Sequence, residues 1–546
     1  MSGAGQDVPM SISNEQAYLF RHAVMQEVAY QLQPPSERSR LHGRIVGIIE
    51  VLFPNSLEEH ALALADHAFH AHQDESRGDA TRTHQNQEVK YLALAAEVAR
   101  RRFDNERAVS LLRRLAGLPW APPRERFDAM EGAAGLLMDI ARVGEAAEIV
   151  PVLIEQAQRS GIPEDSARAY LLLTRLAGLQ RRAADAMVYA QQAEHFAGRS
   201  ADRALRVSIF SELGVIYFRR GETAAARALF AKGVELAREL GLRKELVSVL
   251  NRCGATAVMA GELDEGEKYL EEAEQLGRDL NDLRNVAAVL SNQGVLARRR
   301  NQYDEALRLY DESRNISERI GLRDNLINCY DNSGVVLNLL NRLEEAQDAH
   351  ERARLLAIEL GDPRREATSN LNAALIERKF GRFELALRMM DESFELLVKA
   401  GDLRGQINCL VNRGNVYLSN MDRPFDGLHD FIHAEMLARG SGDAHEATWH
   451  LTRQAAALQA MRCYEDAVTV CNRVLAQSSE YADGFDLARL AYFHRAFAEH
   501  GLERNEEALG SIRQYLHLIE DHSLPEEVHR DDIESAQALL KELTGD

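Results

Sequence analysis

The chain has 546 residues, of which 27% are charged and 6% aromatic, and its formal net charge is −20. General binding to DNA, RNA or an anionic membrane is therefore excluded, because proteins with those partners present a basic surface. Ala, Leu, Glu and Arg dominate, and no Pro-rich or Ser-rich linker interrupts the chain. This composition predicts an all-helical protein built as one long array of repeats.

The first predicted elements are three stretches with helical periodicity, Tyr18–Gln31, Ser36–Pro54 and Leu57–Ala71. Together they resemble the helical stretch that follows the ATPase and winged-helix modules of bacterial signal-transduction ATPases. In that family the ATPase module lies upstream, but its phosphate-binding sequence GxxxxGK[ST] occurs nowhere in this chain. The resemblance therefore implies no ATP hydrolysis here. It implies either a separated sensor half or a stand-alone descendant.

Histidines are concentrated in and just after the third stretch, at His60, His67, His70 and His72. Their spacing does not place three ligands on one helix face, so we expect structural or solvated roles. The sequence HEATWH at His445–His450 has one residue more than the zinc motif HExxH, and its two histidines diverge around the helix. His429 and His433 lie one turn apart, but no acidic ligand follows them. A metal site there is the weaker alternative, and we expect neither a metal nor a cofactor.

Degenerate helix pairs follow. Arg101–Gly117 and Arg182–Gly198 resemble second helices of such pairs, and Arg124–Val150 resembles a complete pair. The predicted organisation is an N-terminal helical region (1–80), degenerate repeats (81–200), a regular array (201–522) and a C-terminal capping helix (523–546).

The regular array repeats every forty residues. A small residue recurs where two helices should cross closely, at Gly214, Gly254, Gly294, Gly334, Ala374 and Gly414. Seven residues later come residues that tolerate the left-handed conformation at a helix end, namely Gly221, Gly261, Asn301, Asn341 and Gly381. An alanine or glycine and then a large residue complete the unit, the large residues being Phe230, Leu270, Tyr310 and Met390.

This order of residues resembles the tetratricopeptide-repeat superfamily over about residues 201–520. The period is longer than the usual one of about 34 residues, and such long repeats resemble those of kinesin light chains and bacterial regulator solenoids. The resemblance implies an all-α, right-handed superhelical solenoid of antiparallel helix pairs. After Asn420 the register slips, and we expect a two-residue insertion there.

The five cysteines are Cys253, Cys329, Cys409, Cys463 and Cys471, and no CxxC pair occurs. Cys329 and Cys409 lie at equivalent places two repeats apart, which predicts the same core niche. We expect all five to be buried thiols in a reducing compartment. No signal peptide and no long apolar stretch is present, so we expect a cytoplasmic protein.

A column of asparagines marks the candidate binding residues. Asn292, Asn332, Asn372 and Asn412 recur two residues before the small residue of four successive first helices. In tetratricopeptide domains this position faces the concave groove, where a carboxamide can pair with a peptide backbone. The alternative is that these asparagines tie one repeat to the next. The other predicted groove residues are Asn328, Asn408, Asn415, Arg252, Arg299 and Lys379.

No motif of a hydrolase, kinase or dinucleotide-binding enzyme occurs, so we expect a non-enzymatic scaffold without catalytic residues. The expected partner is a protein or peptide segment bound in the groove. Because the groove carries a small excess of positive charge, a neutral to acidic segment would suit it. The alternative function is the sensor half of a signal-transduction ATPase, kinase or cyclase system, with the catalytic part on another chain.

Overall fold

The computed structural model of the protein describes residues 30–73, 79–140, 142–180, 182–219, 222–481, 484–521 and 526–544. Within these ranges every regular element is an α-helix. The helices are α1 (Pro35–Leu52), α2 (Leu57–His72), α3 (Asp79–Arg101), α4 (Asn105–Ala116), α5 (Pro123–Asp139), α6 (Val143–Ser160), α7 (Pro163–Leu179), α8 (Ala183–Ala197), α9 (Ala204–Arg219), α10 (Thr223–Glu239), α11 (Arg243–Met259), α12 (Leu263–Asp279), α13 (Leu283–Arg299), α14 (Tyr303–Ile320), α15 (Arg323–Leu339), α16 (Leu343–Leu360), α17 (Pro363–Lys379), α18 (Phe383–Lys399), α19 (Leu403–Asn420), α20 (Pro424–Gly440), α21 (Ala444–Ala460), α22 (Tyr464–Ser478), α23 (Gly484–Gly501), α24 (Asn505–Asp521) and α25 (Glu526–Thr544). The predicted stretch Tyr18–Gln31 lies almost entirely outside the described residues.

Odd-numbered helices are the first helices of the pairs, and even-numbered helices are the second. The chain separates into two compact units. The first unit runs to Ala260 and also takes in residues 275–283 and 319–322. The second unit takes in residues 261–274, 284–318 and 323 onward. Inside each unit, consecutive helices pack against one another, as a solenoid of helix pairs requires. The predicted all-α class and the repeated helix-pair arrangement are thus confirmed.

Residues with a positive φ end the helices at the predicted places. Inside the pairs they are Gly261, Asn301, Asn341 and Gly381, and between the pairs they are Gly241, Asn281, Gly321, Gly361 and Gly401. Gly221 lies outside the described residues. After Asn420 the corresponding residue is Asp422, with a φ of 52°. It follows Gly381 by forty-one residues, so the insertion adds one residue to the repeat. The predicted two-residue insertion was wrong.

Aspartates fix the starts of several first helices. Asp362 accepts a hydrogen bond from the backbone N–H of Arg365 at 3.1 Å, and Asp402 accepts one from that of Gly405 at 3.0 Å. Asp443 does the same for Glu446 at 2.9 Å. Each carboxylate satisfies an amide that the helix itself leaves without a partner, and it also lies at the positive end of the helix dipole. In each Gly-Asp pair between these repeats, the glycine therefore ends one helix and the aspartate caps the start of the next.

Four small residues of first helices, Gly214, Gly294, Gly334 and Gly414, pack directly on the large residue of the second helix in the same pair, and these contacts together are called the seam here. A methyl group placed on Gly294 would lie 2.4 Å from the Tyr310 ring. The same test gives 2.6 Å between Gly334 and the His350 ring. Gly214 and Gly414 meet Phe230 and Phe431 in the same way. The recurring glycines therefore let the helices of a pair approach closely, as predicted.

The core niche predicted for Cys329 and Cys409 exists, since both side chains are almost fully buried. Burial raises the pKa of Cys409 and of Cys471 to about 12, so these thiols stay protonated. Cys463 is only half-buried, unlike the other four cysteines. The expectation that all five thiols are buried was wrong at this position, because Cys463 lies at the turn that precedes α22.

At the C-terminal end, Ala536 and Leu539 of α25 join Ile512 and Tyr515 of α24 in one apolar cluster. The capping role of α25 and the bounds of the four predicted regions stay predictions. Among the described helices, none is both long enough and apolar enough to cross a membrane.

Candidate binding surface on the first helices

The first helices of the second unit lie side by side. The Ser369 hydroxyl of α17 donates to Asp331 of α15 at 2.8 Å. Lys379, also on α17, donates to the backbone carbonyl of Asn338 on α15 at 3.3 Å. Because neighbouring first helices touch in the same register, side chains at equivalent positions form a column that runs across the helices.

Two carboxamides of the asparagine column (Asn292, Asn332, Asn372 and Asn412) have no hydrogen-bond partner among the described residues. Asn332 and Asn372 are both half-buried. In the part of the chain that the structure describes, neither side chain makes a hydrogen bond, and their polar atoms are not sealed from solvent. A polar group in this condition is partly desolvated but still accessible, and a bound molecule could satisfy it.

The C-terminal member of the column is bound within the protein. The Asn412 carboxamide donates to the backbone carbonyl of Asn408 at 2.9 Å and to its side-chain oxygen at 3.0 Å. Asn415, one turn further along α19, accepts from Arg453 of α21 at 2.9 Å. Asn415 therefore ties two repeats together, which was the alternative role predicted for the column.

The remaining predicted groove residues of the second unit differ in exposure. Asn328, Asn408, Arg299 and Lys379 are exposed, and Asn292 is half-buried. Asn292 and Arg299 both interact within the chain. Exposed cations on this face are consistent with the expected local excess of positive charge.

Arg252 belongs to the first unit. There its guanidinium, on α11, donates to Glu212 of α9 at 2.8 Å. The pair links two successive first helices, and the charge of Arg252 is neutralised inside the protein. Whether Arg252 also contacts a ligand stays a prediction.

Two further residues on α21 were missed by the sequence analysis: Arg453 continues the asparagine column, and Trp449 continues the neighbouring position that Asn328 and Asn408 occupy. Arg453 follows Asn412 by forty-one residues, and Trp449 follows Asn408 by the same number. Both are half-buried. The one-residue insertion near Asp422 displaces them from the forty-residue phase. If the turn had been placed at Asp422, the equivalence of Arg453 and Trp449 with the earlier repeats would have been visible in the sequence.

An ion-pair cluster is centred on Arg413, the residue after Asn412. Arg413 donates to both carboxylate oxygens of Asp430 on α20, at 2.7 and 2.6 Å, and to Asp391 of α18 at 2.5 Å. These hydrogen bonds raise the pKa of Arg413 above its ordinary value. Asp430 is only 2% exposed. Asn412 and Arg413 are adjacent on α19 but serve different purposes, because Asn412 belongs to the asparagine column whereas Arg413 points into the seam.

The histidines of HEATWH separate as predicted. His450 is buried, and neither of its ring nitrogens has a hydrogen-bond partner in the described residues. Burial, and then the nearby Arg453, lower the pKa of His450 to about 4. His429 is exposed and His433 half-buried. Within the described ranges no group of three or more potential ligands is arranged to hold a metal ion.

The N-terminal histidines come together across α1 and α2. The ring nitrogens of His42 and His67 are 2.7 Å apart, and the His42 ring stacks on His70 with centroids 5.0 Å apart. Burial first, and then the two neighbouring histidines and Arg38, lower the pKa of His42 to about 4. His72 instead is buried against Glu88 at 2.8 Å. The contact of His42 with this cluster was not foreseen, and the structural role expected for the histidines of α2 stays a prediction.

Family comparisons agree with the repeat pattern. Profiles described as tetratricopeptide repeat match residues 206–240 and 285–357. The chain carries tetratricopeptide repeats. This confirms the superfamily assignment made from the forty-residue pattern. A search of curated proteins finds no match.

Solved structures of tetratricopeptide proteins are similar to the chain. A Rap protein complexed with Competence and Sporulation Factor shares 14% identity, with a TM-score of 0.50, 66% of this chain covered and 99% of that one. Yeast Tom70 shares 13% identity, with a TM-score of 0.43, 88% of this chain covered and 96% of that one. A signal-transduction ATPase with a tetratricopeptide repeat sensor from Pyrococcus horikoshii shares 14% identity, with a TM-score of 0.41, 83% of this chain covered and 63% of that one. At these identities the likeness concerns the fold.

Proposed function

We propose that the protein is a non-enzymatic tetratricopeptide scaffold that binds an extended segment of another protein. The segment would lie across the first helices of the second unit, along the asparagine column. The observation that carries the proposal is the pair Asn332 and Asn372. These two equivalent carboxamides on neighbouring helices are half-buried, accessible and without a partner in the described chain.

The chemistry of a carboxamide fits a peptide backbone. Each asparagine side chain can donate to a carbonyl and accept from an N–H, whatever side chains the segment carries. Exposed Arg299 and Lys379 favour a neutral to acidic segment. The similar Rap protein, whose structure contains a bound factor, supports a binding role for such repeats.

The test compares the wild type with the double variant Asn332→Ala and Asn372→Ala. Peptides are first selected from a random displayed library on the wild type, and their affinities are then measured by fluorescence anisotropy. Each lost hydrogen bond should cost about 0.5–1.5 kcal/mol. The double variant should therefore bind roughly five- to a hundredfold more weakly.

The matched control is Asn315→Ala, which removes an exposed asparagine from the second helix α14. Its affinity should equal that of the wild type. The melting temperature of the double variant should hold or rise slightly, because alanine is the better helix former. A destabilised double variant with unchanged affinity would show that the column holds repeats together and binds nothing.

The alternative function, a sensor half for a separate ATPase, kinase or cyclase chain, rests on the resemblance carried by Tyr18–Ala71. The described part of that segment is helical, in α1 and α2. Co-expression with the products of neighbouring genes, followed by size-exclusion chromatography, tests this function. A stable complex with a nucleotide-hydrolysing chain would favour it over a free-standing scaffold.

A further inference from the structure

One face of the second helix α20 is apolar although it is open to solvent. Phe425, Ile432 and Met436 are 68%, 40% and 64% exposed. Their spacing of seven and then four residues places them on one side of the helix. These three residues are called the apolar stripe here. Exposed His429 lies on the same side, between Phe425 and Ile432.

Other second helices of the array are acidic at the equivalent positions. On α18 these positions lie forty-one residues earlier and hold Glu384, Asp391 and Glu395, all of them exposed. On α14, α16, α18 and α22 together, eight of the twelve equivalent residues are Asp or Glu, and Leu355 is the only large apolar one. The apolar stripe therefore replaces charge by apolar surface at three places of one helix.

Packing within the fold does not account for the apolar stripe. The buried side of α20 consists of other residues, among them Phe431, Ala434 and Ala438. The acids of α18 show that a helix of the same kind packs equally well with charge at the stripe positions. Single apolar residues on a surface are ordinary, but an aligned set marks a place that another molecule covers.

The second helices beside α20 are acidic and lie close to it. The ring of Phe394 on α18 contacts that of His433 on α20, with centroids 5.9 Å apart. Arg473 of α22 lies 3.7 Å from Glu435 of α20. Acidic residues outnumber Arg and Lys by four to two on α18, three to one on α20 and two to one on α22. The surroundings of the apolar stripe are therefore negatively charged.

We propose that the apolar stripe binds an amphipathic helix of another protein, with basic residues on both sides of its apolar face. A helix laid along α20 presents apolar residues at a matching spacing of i, i+4, i+7 and i+11. Its basic flanks pair with the acidic helices α18 and α22. The site lies on second helices, so it adds a second binding surface to the function proposed above.

Charge favours this partner over two other occupants. A second copy of the chain, docked stripe to stripe, would bring acidic helices against acidic helices. An anionic membrane would be repelled by the same charges. A helix with basic flanks gains both the apolar contact and the charge attraction.

The probe is a synthetic amphipathic helix with leucines at i, i+4, i+7 and i+11 and lysines on its flanks. One comparison peptide has glutamates in place of the lysines, and another has the same composition in scrambled order. By fluorescence anisotropy the full-length wild type should bind the lysine peptide saturably, and each comparison peptide about tenfold more weakly or less. Absence of saturable binding, or equal binding of either comparison peptide, would overturn the proposal.

The deciding variant combines Phe425→Glu, Ile432→Asp and Met436→Glu, which are the residues of α18 at these positions. This variant is more acidic than the wild type, so weaker binding of a basic peptide reports lost apolar contact and not lost charge attraction. The affinity for the lysine peptide should fall about tenfold or more. Unchanged affinity contradicts the proposal. Circular dichroism checks that the variant keeps its helix content.

Leu355→Glu on α16 is the matched control, because Leu355 holds the position of Met436 and is 49% exposed. It should bind the lysine peptide as the wild type does, and a loss as large as that of the triple variant would place the peptide elsewhere. Met436→Glu alone replaces the triple variant if that variant does not fold, and it should weaken binding about threefold or more.

The Asn332→Ala and Asn372→Ala double variant separates this site from the asparagine column. It should bind the lysine peptide as the wild type does, even if no peptide is found for the column. A loss of binding would place the peptide on the column and overturn the second site. The occupant is wrong if the triple variant has a lower oligomeric state than the wild type, or loses co-sedimentation with phosphatidylserine vesicles that the wild type shows.

Discussion

Two faces of the same first helices differ in what their residues do. On one face Gly334 packs on the His350 ring so closely that even a methyl group would not fit. On the other face Asn332, two residues earlier, has no protein partner in the described chain. A step of two residues along the helix thus turns the side chain from the seam to the face that carries the asparagine column. Changes on the seam should alter stability, and changes on the surface should alter binding.

The strongest test of this comparison is Arg413→Gln. Arg413 directly follows Asn412 in sequence but faces the seam, so its loss would leave Asp430 buried without its cation. Removing one partner of a buried pair costs about 3–5 kcal/mol. Urea unfolding should show that loss. Arg308→Gln breaks an exposed pair with Glu305 and should cost less than about 1 kcal/mol. Equal costs in the two variants would contradict the separation of faces.

Acidification should weaken the packing of the core around His450. This residue occupies the niche that Cys329 and Cys409 fill in earlier repeats, and its pKa is lowered to about 4 by burial. Because the folded pKa lies below the unfolded one, the stability is fully present above pH 6.5 and is lost as the pH falls toward 4. The loss is at most roughly 3 kcal/mol.

His450→Val is the matched variant, since a buried valine, Val289, fills this niche one repeat before Cys329. Its unfolding free energy should fall less between pH 6.5 and 4 than that of the wild type. The N-terminal cluster around His42 should still contribute a residual pH dependence. Identical pH profiles for the two proteins would show that His450 does not titrate as described.

The smallest effect expected on the seam comes from Gly294→Ala. The added methyl group would lie 2.4 Å from the ring of Tyr310, so the helix pair must shift, at a cost of about 1–3 kcal/mol. Gly135→Ala, on the first helix α5, has open space around the new methyl group. It should be neutral or stabilising by up to about 1 kcal/mol, because alanine favours helix. A destabilised Gly135→Ala with a neutral Gly294→Ala would reverse the assignment of the seam.

The sequence was sufficient to predict the seam because packing repeats with a fixed phase. Gly294 and Tyr310 belong to a period that can be read from residue types alone. His350 shows the limit of that reading. It fills the large-residue position on Gly334, but a polar residue is not expected there. Its ring nitrogen is satisfied by Asp331 at 2.9 Å, a contact that only the folded chain reveals.

The surface was harder to predict because identical residues have different partners. Asn372 and Asn412 share a phase, yet the Asn372 carboxamide makes no hydrogen bond within the described ranges, while that of Asn412 donates to Asn408. Arg453 escaped notice because a single inserted residue moved it out of phase. Roles of this kind depend on which side chains reach each other across helices, and residue spacing along one chain does not contain that information.

The side-by-side packing of the first helices also sets a length scale for whatever they bind. Packed helices lie about 8–10 Å apart, while an extended chain advances about 3.3 Å per residue. A segment crossing α15 and α17 would therefore meet a carboxamide at about every third residue. The residues between those contacts would be free to vary, so binding partners could share a spacing without sharing a sequence.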